Sequence, residues 1–287
     1  MNKIISKTKI PITAETLKKD FYNIGLQDGM TVLLHSSLSS IGWVCGGAVT
    51  VILALEDMLG LDGTLVMPAH SGDLSDPGNW ENPPVPKSWW KIIKDTMPSY
   101  DCDLTPTRGI GIIPEVFRKQ KGVFRSAHPQ VSFAARGKNA LLITSGHNLE
   151  FGCGKDSPLK KIYDLDGYIL LLGVDHSSNT SIHLAEAIAD YTGKEIILTG
   201  APLLYKKSRK WVEFCDYKDY TDDFVKLGRD FIKANNHCIN TGKIGNAKSQ
   251  FFKQRDLVDF AVTWLGKNRK KKKSSVPHRK QLHTGQE

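Results

Sequence analysis

YILLLGVDHSSNTSIHLAEAIAD, residues 168–190, divides into a strand, a loop and a helix. Tyr168 to Leu172 is a continuous apolar run of strand length. Gly173 to Asn179 is a short polar loop that carries Asp175 and His176. Thr180 to Asp190 reads as a helix, with Ile182, Ala185, Ala187, Ile188 and Ala189 as its apolar or small residues. Open α/β sheets keep their ligand sites at such turns, beyond the carboxyl ends of strands. Within the predicted helix, His183 and Glu186 are three residues apart and share one face. An imidazole beside a carboxylate is a ready general base, because the carboxylate orients the ring and stabilises its protonated form. The same spacing also arises on the solvated face of any amphipathic helix, so the rest of the chain has to decide.

Working outward, the elements alternate. Thr13 is placed to cap a helix through Asn23, and Gly25 ends it. Met30 to His35 reads as a buried strand, Ser36 to Gly47 as a polar, glycine-bearing loop, Ala48 to Leu59 as an apolar helix and Gly63 to Pro68 as a second strand. This βαβ order predicts an α/β fold with a largely parallel central sheet flanked by helices. Ala69 to Pro106 is long, rich in proline, and holds Trp80, Trp89 and Trp90. Irregular stretches of that length are functional or disordered, and the aromatics favour order, with one short helix from Trp89 to Asp95. Further helices are predicted over 111–120, 137–144, 221–235 and 255–265, and a strand over 131–136. Glu195 to Leu198 and Lys210 to Tyr217 read as an antiparallel addition, with Ala201, Pro202 and the basic stretch from Lys206 in or near the turn.

The chain has 287 residues, 40% of them hydrophobic, and a net charge of +9. Eight Lys/Arg and one acid lie from Lys267 onward, a net +7, which leaves +2 on the first 266 residues. The expectation is one α/β domain over 1–266 and a basic, disordered tail over 267–287. A near-neutral fold gives no reason to expect nucleic-acid binding, although Lys270 to Lys273 could meet RNA or an acidic surface. Cys45, Cys102, Cys153, Cys215 and Cys238 are odd in number and widely spread, without a CxxC pair. They read as free thiols. With neither a signal peptide nor a run of about 20 apolar residues in view, the expected location is the cytoplasm and no membrane partner is expected.

Three loops carry further chemistry. The Ser36 to Gly47 loop joins a strand to a helix, and its small residues let backbone amides approach a phosphate closely. It is neither a Walker loop nor a GxGxxG fingerprint. In TPTRGIG, residues 105–111, Arg108 stands before a helix where it could pair with a phosphate; a plain helix start with a surface arginine is the equal alternative. This stretch approaches the Gln/Arg-x-x-Gly-x-Gly/Ala loop of GCN5-like acetyltransferases but has Ile113 at the last position, which argues against that fold. His128, held extended by Pro129, reads as structural.

Six blocks in order resemble the bacterial aminoglycoside 3-N-acetyltransferase family. They are HSSLSSIGWVCGGAVTVILAL at 35–55, GTLVMPAHS at 63–71, TPTRGIGIIPEVFR at 105–118, RSAHPQVSFAARG at 125–137, LEFGCGKDSPLKKIY at 149–163 and LLLGVDHSSNTSIHLAE at 170–186. The resemblance implies an α/β fold distinct from the GCN5-like one. It also implies acetyl transfer from acetyl-CoA to the 3-amino group of a 2-deoxystreptamine aminoglycoside, which confers antibiotic resistance. Thr180, His183 and Glu186 match the family motif T-x-x-H-x-A-E. The implied mechanism is direct transfer in a ternary complex, with His183 as general base and Thr180 and the amides of Ser36 and Ser37 as donors to the oxyanion. Many members place an Asp where this chain has Ser177, and Asp175 is the nearest carboxylate in that loop. The implied coenzyme cradle is His35, Ser36, Ser37, Leu38, Ser39, Gly42, Val44, Thr105, Thr107 and Arg108. Asp73, Asp76 and Glu81, with His70, are expected to meet a polycationic substrate. No metal is expected. The alternatives are an acetyltransferase acting on another amine, a protein that binds the coenzyme or sequesters the drug without catalysis, and a metal-dependent hydrolase using Asp175, His176, His183 and Glu186.

Overall fold

A computed structural model describes residues 2–269. Its central sheet is built on three parallel strands, β1 (Thr31–Ser36), β2 (Thr64–Pro68) and β5 (Tyr168–Leu172). Antiparallel strands extend both sides. β4 (Phe133–Gly137) pairs with β2 and carries the two-residue β3 (Phe124–Arg125), while β9 (Ala247–Lys253) pairs with β5 and carries β8 (Asn240–Ile244). The order across the sheet is β3-β4-β2-β1-β5-β9-β8. β6 (Ile196–Tyr205) and β7 (Ser208–Tyr217) form a separate hairpin.

The parallel strands are apolar without alternation because helices cover both faces. Val32 and Leu34 of β1 pack with Leu17, Phe21, Val51 and Leu55 from the helices Ala14–Asn23 and Gly47–Leu59. Leu33, pointing the other way, packs with Leu159, Leu184, Phe231 and Leu257 from the helices Pro158–Asp164, Ser181–Ile188, Phe224–Ala234 and Gln254–Asn268. Emptying such a position by Leu33→Ala would cost about 3 kcal/mol.

Several sequence expectations shift by a few residues. The Thr13 hydroxyl caps the first predicted helix by accepting from the Thr16 amide. The helix expected at Trp89 spans Lys87–Thr96. The β6–β7 turn is Lys206–Lys207, with φ of +47° and +64°, so Ala201 and Pro202 lie inside a strand instead. β8 and β9 were not expected, because NTGKI and AKSQFFK are mostly polar; β8 buries only Ile244, and β9 buries Ala247, Ser249, Phe251 and Phe252.

The last helix does not stop at Gly266. That glycine lies inside it, so close to the Asp190 carbonyl that an added Cβ would stand 3.3 Å away. The helix continues to Asn268 and is capped at Arg269. Lys270 to Lys273 and the rest of the basic run lie outside the described residues.

The 69–106 segment is tied down from below by Arg125. Its guanidinium donates to the carbonyls of Ala69 (2.6 Å), Thr105 (2.5 Å) and Cys102 (3.2 Å) and to Ser132 Oγ (3.0 Å). The Tyr100 hydroxyl donates to the Ser126 carbonyl, and Arg209 of β7 donates to the Met97 carbonyl. All five cysteines are free, and no helix among the described residues is long and apolar enough to cross a membrane.

Candidate active site

Because β1, β2 and β5 are parallel, their carboxyl ends fall on one edge of the sheet. A cleft of about 810 Å³ opens there. β1 contributes His35 and Ser36 and runs into Ser37, Leu38 and Ser39. Gly42 and Val44 follow from the same loop. β2 leads to Pro68 and His70, and β5 leads to Val174, Ser177 and Thr180. Gly109, Ile110, Gly111 and Ile112 close the remaining side, and Gly109 and Gly111 hold φ of +73° and +84°. Positive φ is the conformation that glycine adopts without strain.

Two buried polar atoms in this wall, Ser36 Oγ and His70 Nε2, have no hydrogen-bond partner among the described residues. Unsatisfied buried polar groups are costly, so they mark places where a ligand can bond. His35 Nε2 lies 3.4 Å from Thr180 Oγ1. Burial keeps both His35 and His70 neutral, pulling each down to about 3; neighbouring histidines add to the effect.

One turn beyond Thr180, His183 Nδ1 lies 2.7 Å from Glu186 Oε2. An ionised carboxylate only accepts, so Nδ1 carries the proton and Nε2 keeps its lone pair. No hydrogen bond is made at Nε2 among the described residues. Burial alone would lower the basicity of this ring. The Glu186 bond and the charges of Asp219, Glu186 and Asp216 outweigh burial and hold His183 above its ordinary value. Asp219 Oδ1 is 3.9 Å from Nδ1. Burial, with Asp219 adding, pushes Asp216 up to about 6 against the bonds it accepts from the Tyr217 and Gly152 amides. His183 is not itself among the lining side chains; it connects to the cleft through Thr180 and through His70, whose largest electrostatic neighbour is His183.

The expected site residues divide. His35, Ser36, Ser37, Leu38, Ser39, Gly42, Val44, His70 and Thr180 meet at the cleft. Thr105, Thr107 and Arg108 do not line it. Thr105 Oγ1 accepts from the Asp101 amide, Thr107 donates twice to Glu115, and Arg108 pairs with Asp73 at 2.6 Å on the surface. The next residues, Gly109 to Ile112, take that place. Asp175 Oδ1 accepts from the amide and hydroxyl of Ser177 as a local cap, which lowers the Asp175 pKa, and no bond joins it to His183 among the described residues. The Ser37 amide is committed to the Leu172 carbonyl. Asp76 caps the turn Pro77–Asn79 and pairs with Lys94, while Glu81 stands exposed. His176 bonds Gln250 and stacks on Phe252, and no three His, Cys, Asp or Glu side chains form a metal-ligand set among the described residues. His128 is structural, its Nδ1 accepting from the Gln130 and Val131 amides.

Sequence reasoning missed Asp216, Asp219 and Arg269. The first two sit on or just after a hairpin strand with no motif around them. Arg269 is hidden in a run of like charges, yet its Nη1 lies 2.5 Å from Glu186 Oε1.

The fold is α/β, with its cleft at the carboxyl edge of the parallel strands, where open α/β sheets bind ligands. The family model for aminoglycoside 3-N-acetyltransferases matches residues 33–266; the chain belongs to that family and is an acyltransferase. It is 46% identical over 269 residues to the prophage-derived aminoglycoside N(3')-acetyltransferase-like protein YokD of Bacillus subtilis strain 168, covering 93% of this chain and 97% of that one. The crystal structure of YokD superposes with a TM-score of 0.90 over 93% of this chain and 98% of that chain. Aminoglycoside N(3)-acetyltransferase VII of Streptomyces paromomycinus is 35% identical, covering 91% and 94%. Among solved structures, AAC-IIIb in a binary complex with CoASH matches at 28% identity and a TM-score of 0.81, covering 91% and 98%. AAC-VIa bound to sisomicin matches at 28% and 0.80, covering 89% and 98%.

Proposed function

We propose that the protein transfers the acetyl group of acetyl-CoA directly to the 3-amino group of a 2-deoxystreptamine aminoglycoside, with His183 as general base. The observation that carries this reading is the 2.7 Å bond between His183 Nδ1 and Glu186, which leaves Nε2 open one turn from the cleft. The CoASH and sisomicin complexes of AAC-IIIb and AAC-VIa support the choice of the two substrates.

Acetyl-CoA would supply an activated acyl carbonyl. The cleft fits it in size, in its glycine-lined wall and in the unpartnered Ser36 hydroxyl. His183 Nε2 removes the proton as the amine nitrogen bonds to the acyl carbon. The carbon–sulfur bond then breaks and the thiolate leaves. The hydroxyls of Thr180 and Ser36, both in the cleft wall, are the candidate donors to the oxyanion, since the Ser37 amide is bonded to the Leu172 carbonyl. Asp216 and Asp219, whose charges act on His183, join Asp73, Asp76 and Glu81 as candidates to meet the cationic substrate; Asp73 and Asp76 are paired with Arg108 and Lys94.

The test mixes the purified protein with acetyl-CoA and a panel of 2-deoxystreptamine antibiotics, follows the released thiol, and identifies products by mass. His183→Ala is expected to lose several orders of magnitude in rate, and Glu186→Gln less. Equal turnover by wild type and His183→Ala would overturn the assignment.

A further inference from the structure

We propose that Arg269, at the end of the last helix, is a positioning residue for the His183–Glu186 pair, fixing the Glu186 carboxylate so that His183 presents a free Nε2. This rests on the reading of His183 as the base.

The geometry is a closed chain of charges. Glu186 is buried, and each of its oxygens has one strong partner, His183 Nδ1 on Oε2 and Arg269 Nη1 on Oε1 at 2.5 Å. Arg269 is itself held tightly. Nε and Nη2 bond the two oxygens of Asp223 at 2.9 and 2.7 Å, and Nη2 also donates to the Tyr220 carbonyl at 2.8 Å. Its guanidinium lies 5.0 Å from the Tyr191 ring and 4.8 Å from the Tyr220 ring. Only 8% of the side chain is exposed, which is unusual for the first arginine of a basic run. A bidentate, aromatic-stacked arginine defines direction as well as charge.

The consequence concerns the proton on His183. When the imidazole is neutral, the Glu186 charge is balanced by Arg269. Without Arg269, deprotonating His183 would leave a buried carboxylate with no counter-charge, so His183 would hold its proton to higher pH. The other charged or titratable groups around the pair keep their places in the variant. They are Asp216 and Asp219 from β7 and the loop after it, His70 from the loop after β2, and Cys153, Tyr191 and Lys194 around Glu186.

The experiment is an NMR titration of the His183 ring in the full-length protein, its resonance identified by loss in His183→Asn, alongside the pH profile of kcat/KM. In Arg269→Gln, the His183 midpoint and the acid limb of kcat/KM are expected to rise together by about one pH unit. Well below the midpoint, kcat/KM falls about tenfold, and the rate returns at higher pH. Arg269→Lys keeps a charge without the fork and shifts less. Asp223→Asn removes the anchor of Arg269 without touching Glu186, and moves the midpoint in the same direction by a smaller amount. A merely structural arginine would lower the amount of active protein with no change in either midpoint. Unchanged midpoints in folded Arg269→Gln, or in Asp223→Asn where the arginine variant does not fold, would overturn the proposal. Turnover by His183→Asn reports on the base separately, so failure of the clamp and failure of the base are told apart.

Discussion

His183 loses basicity to burial and gains more from three carboxylates, and with His183 as the proposed base the net rise would set the pH range of activity. A base acts only when neutral, so the acid limb of kcat/KM for the free enzyme is expected above pH 6.5 rather than at it. Asp219→Asn removes one of the raising charges, and the limb should move down, by a few tenths of a unit given the exposure of Asp219. A limb unmoved or displaced upward in that variant would mean that Asp219 does not act on the ring. The sequence made His183 and Glu186 legible because both lie in one helical turn. Asp219 and Arg269 could not be read that way. They reach the same imidazole and carboxylate from 36 and 83 positions along the chain, through folding alone. Asp175 is near His176 and Thr180 in sequence, but its Oδ1 accepts from the amide and hydroxyl of Ser177, a local contact that spacing alone does not foretell.

Elements are placed by a few residues that tolerate no substitute. Gly228 faces His176 so closely that a Cβ there would stand 2.2 Å from the ring. Gly228→Ala should push the helix Phe224–Ala234 off the turn that holds His176 and cost about 1–3 kcal/mol, measured by denaturant unfolding. Arg125 has the same importance for the 69–106 segment. Arg125→Ala leaves the Cys102 and Thr105 carbonyls without this donor and the Ala69 carbonyl with Ser132 Oγ alone, with an expected loss of about 3 kcal/mol and faster proteolysis between residues 70 and 106. Protection of that segment equal to wild type would show that the tryptophans and prolines order it unaided. The helices and parallel strands were readable from apolar periodicity. β8, β9 and the full length of β6 were not, because edge and hairpin strands are half solvated and their sequences look like loops. Gly266 misled for a related reason. Glycine past an apolar run predicts a helix end, but here it permits close helix packing.

The whole molecule stores neutral histidines. His35, His70, His128, His147 and His176 are pulled by burial to between about 3 and about 4. Between those values and 6.5, the unfolded chain binds protons that the folded one refuses, so stability falls as pH drops below about 6.5, by about 1.4 kcal/mol per histidine per pH unit. His183 has the opposite sign. Its contribution is present below 6.5 and is lost as pH rises through its raised value. The expected result is a Tm that falls steeply on mild acidification, and a flat Tm between pH 7 and 5 would contradict the burial of these rings. The sheet order has a consequence for biosynthesis. Strands β1 and β2 are made early, β5 follows, and Arg269 emerges after every other described element. A nascent chain can therefore assemble its parallel core and bond His183 to Glu186 while the counter-ion for that carboxylate is still in the ribosome, so the last described helix to be translated also delivers the second partner of Glu186.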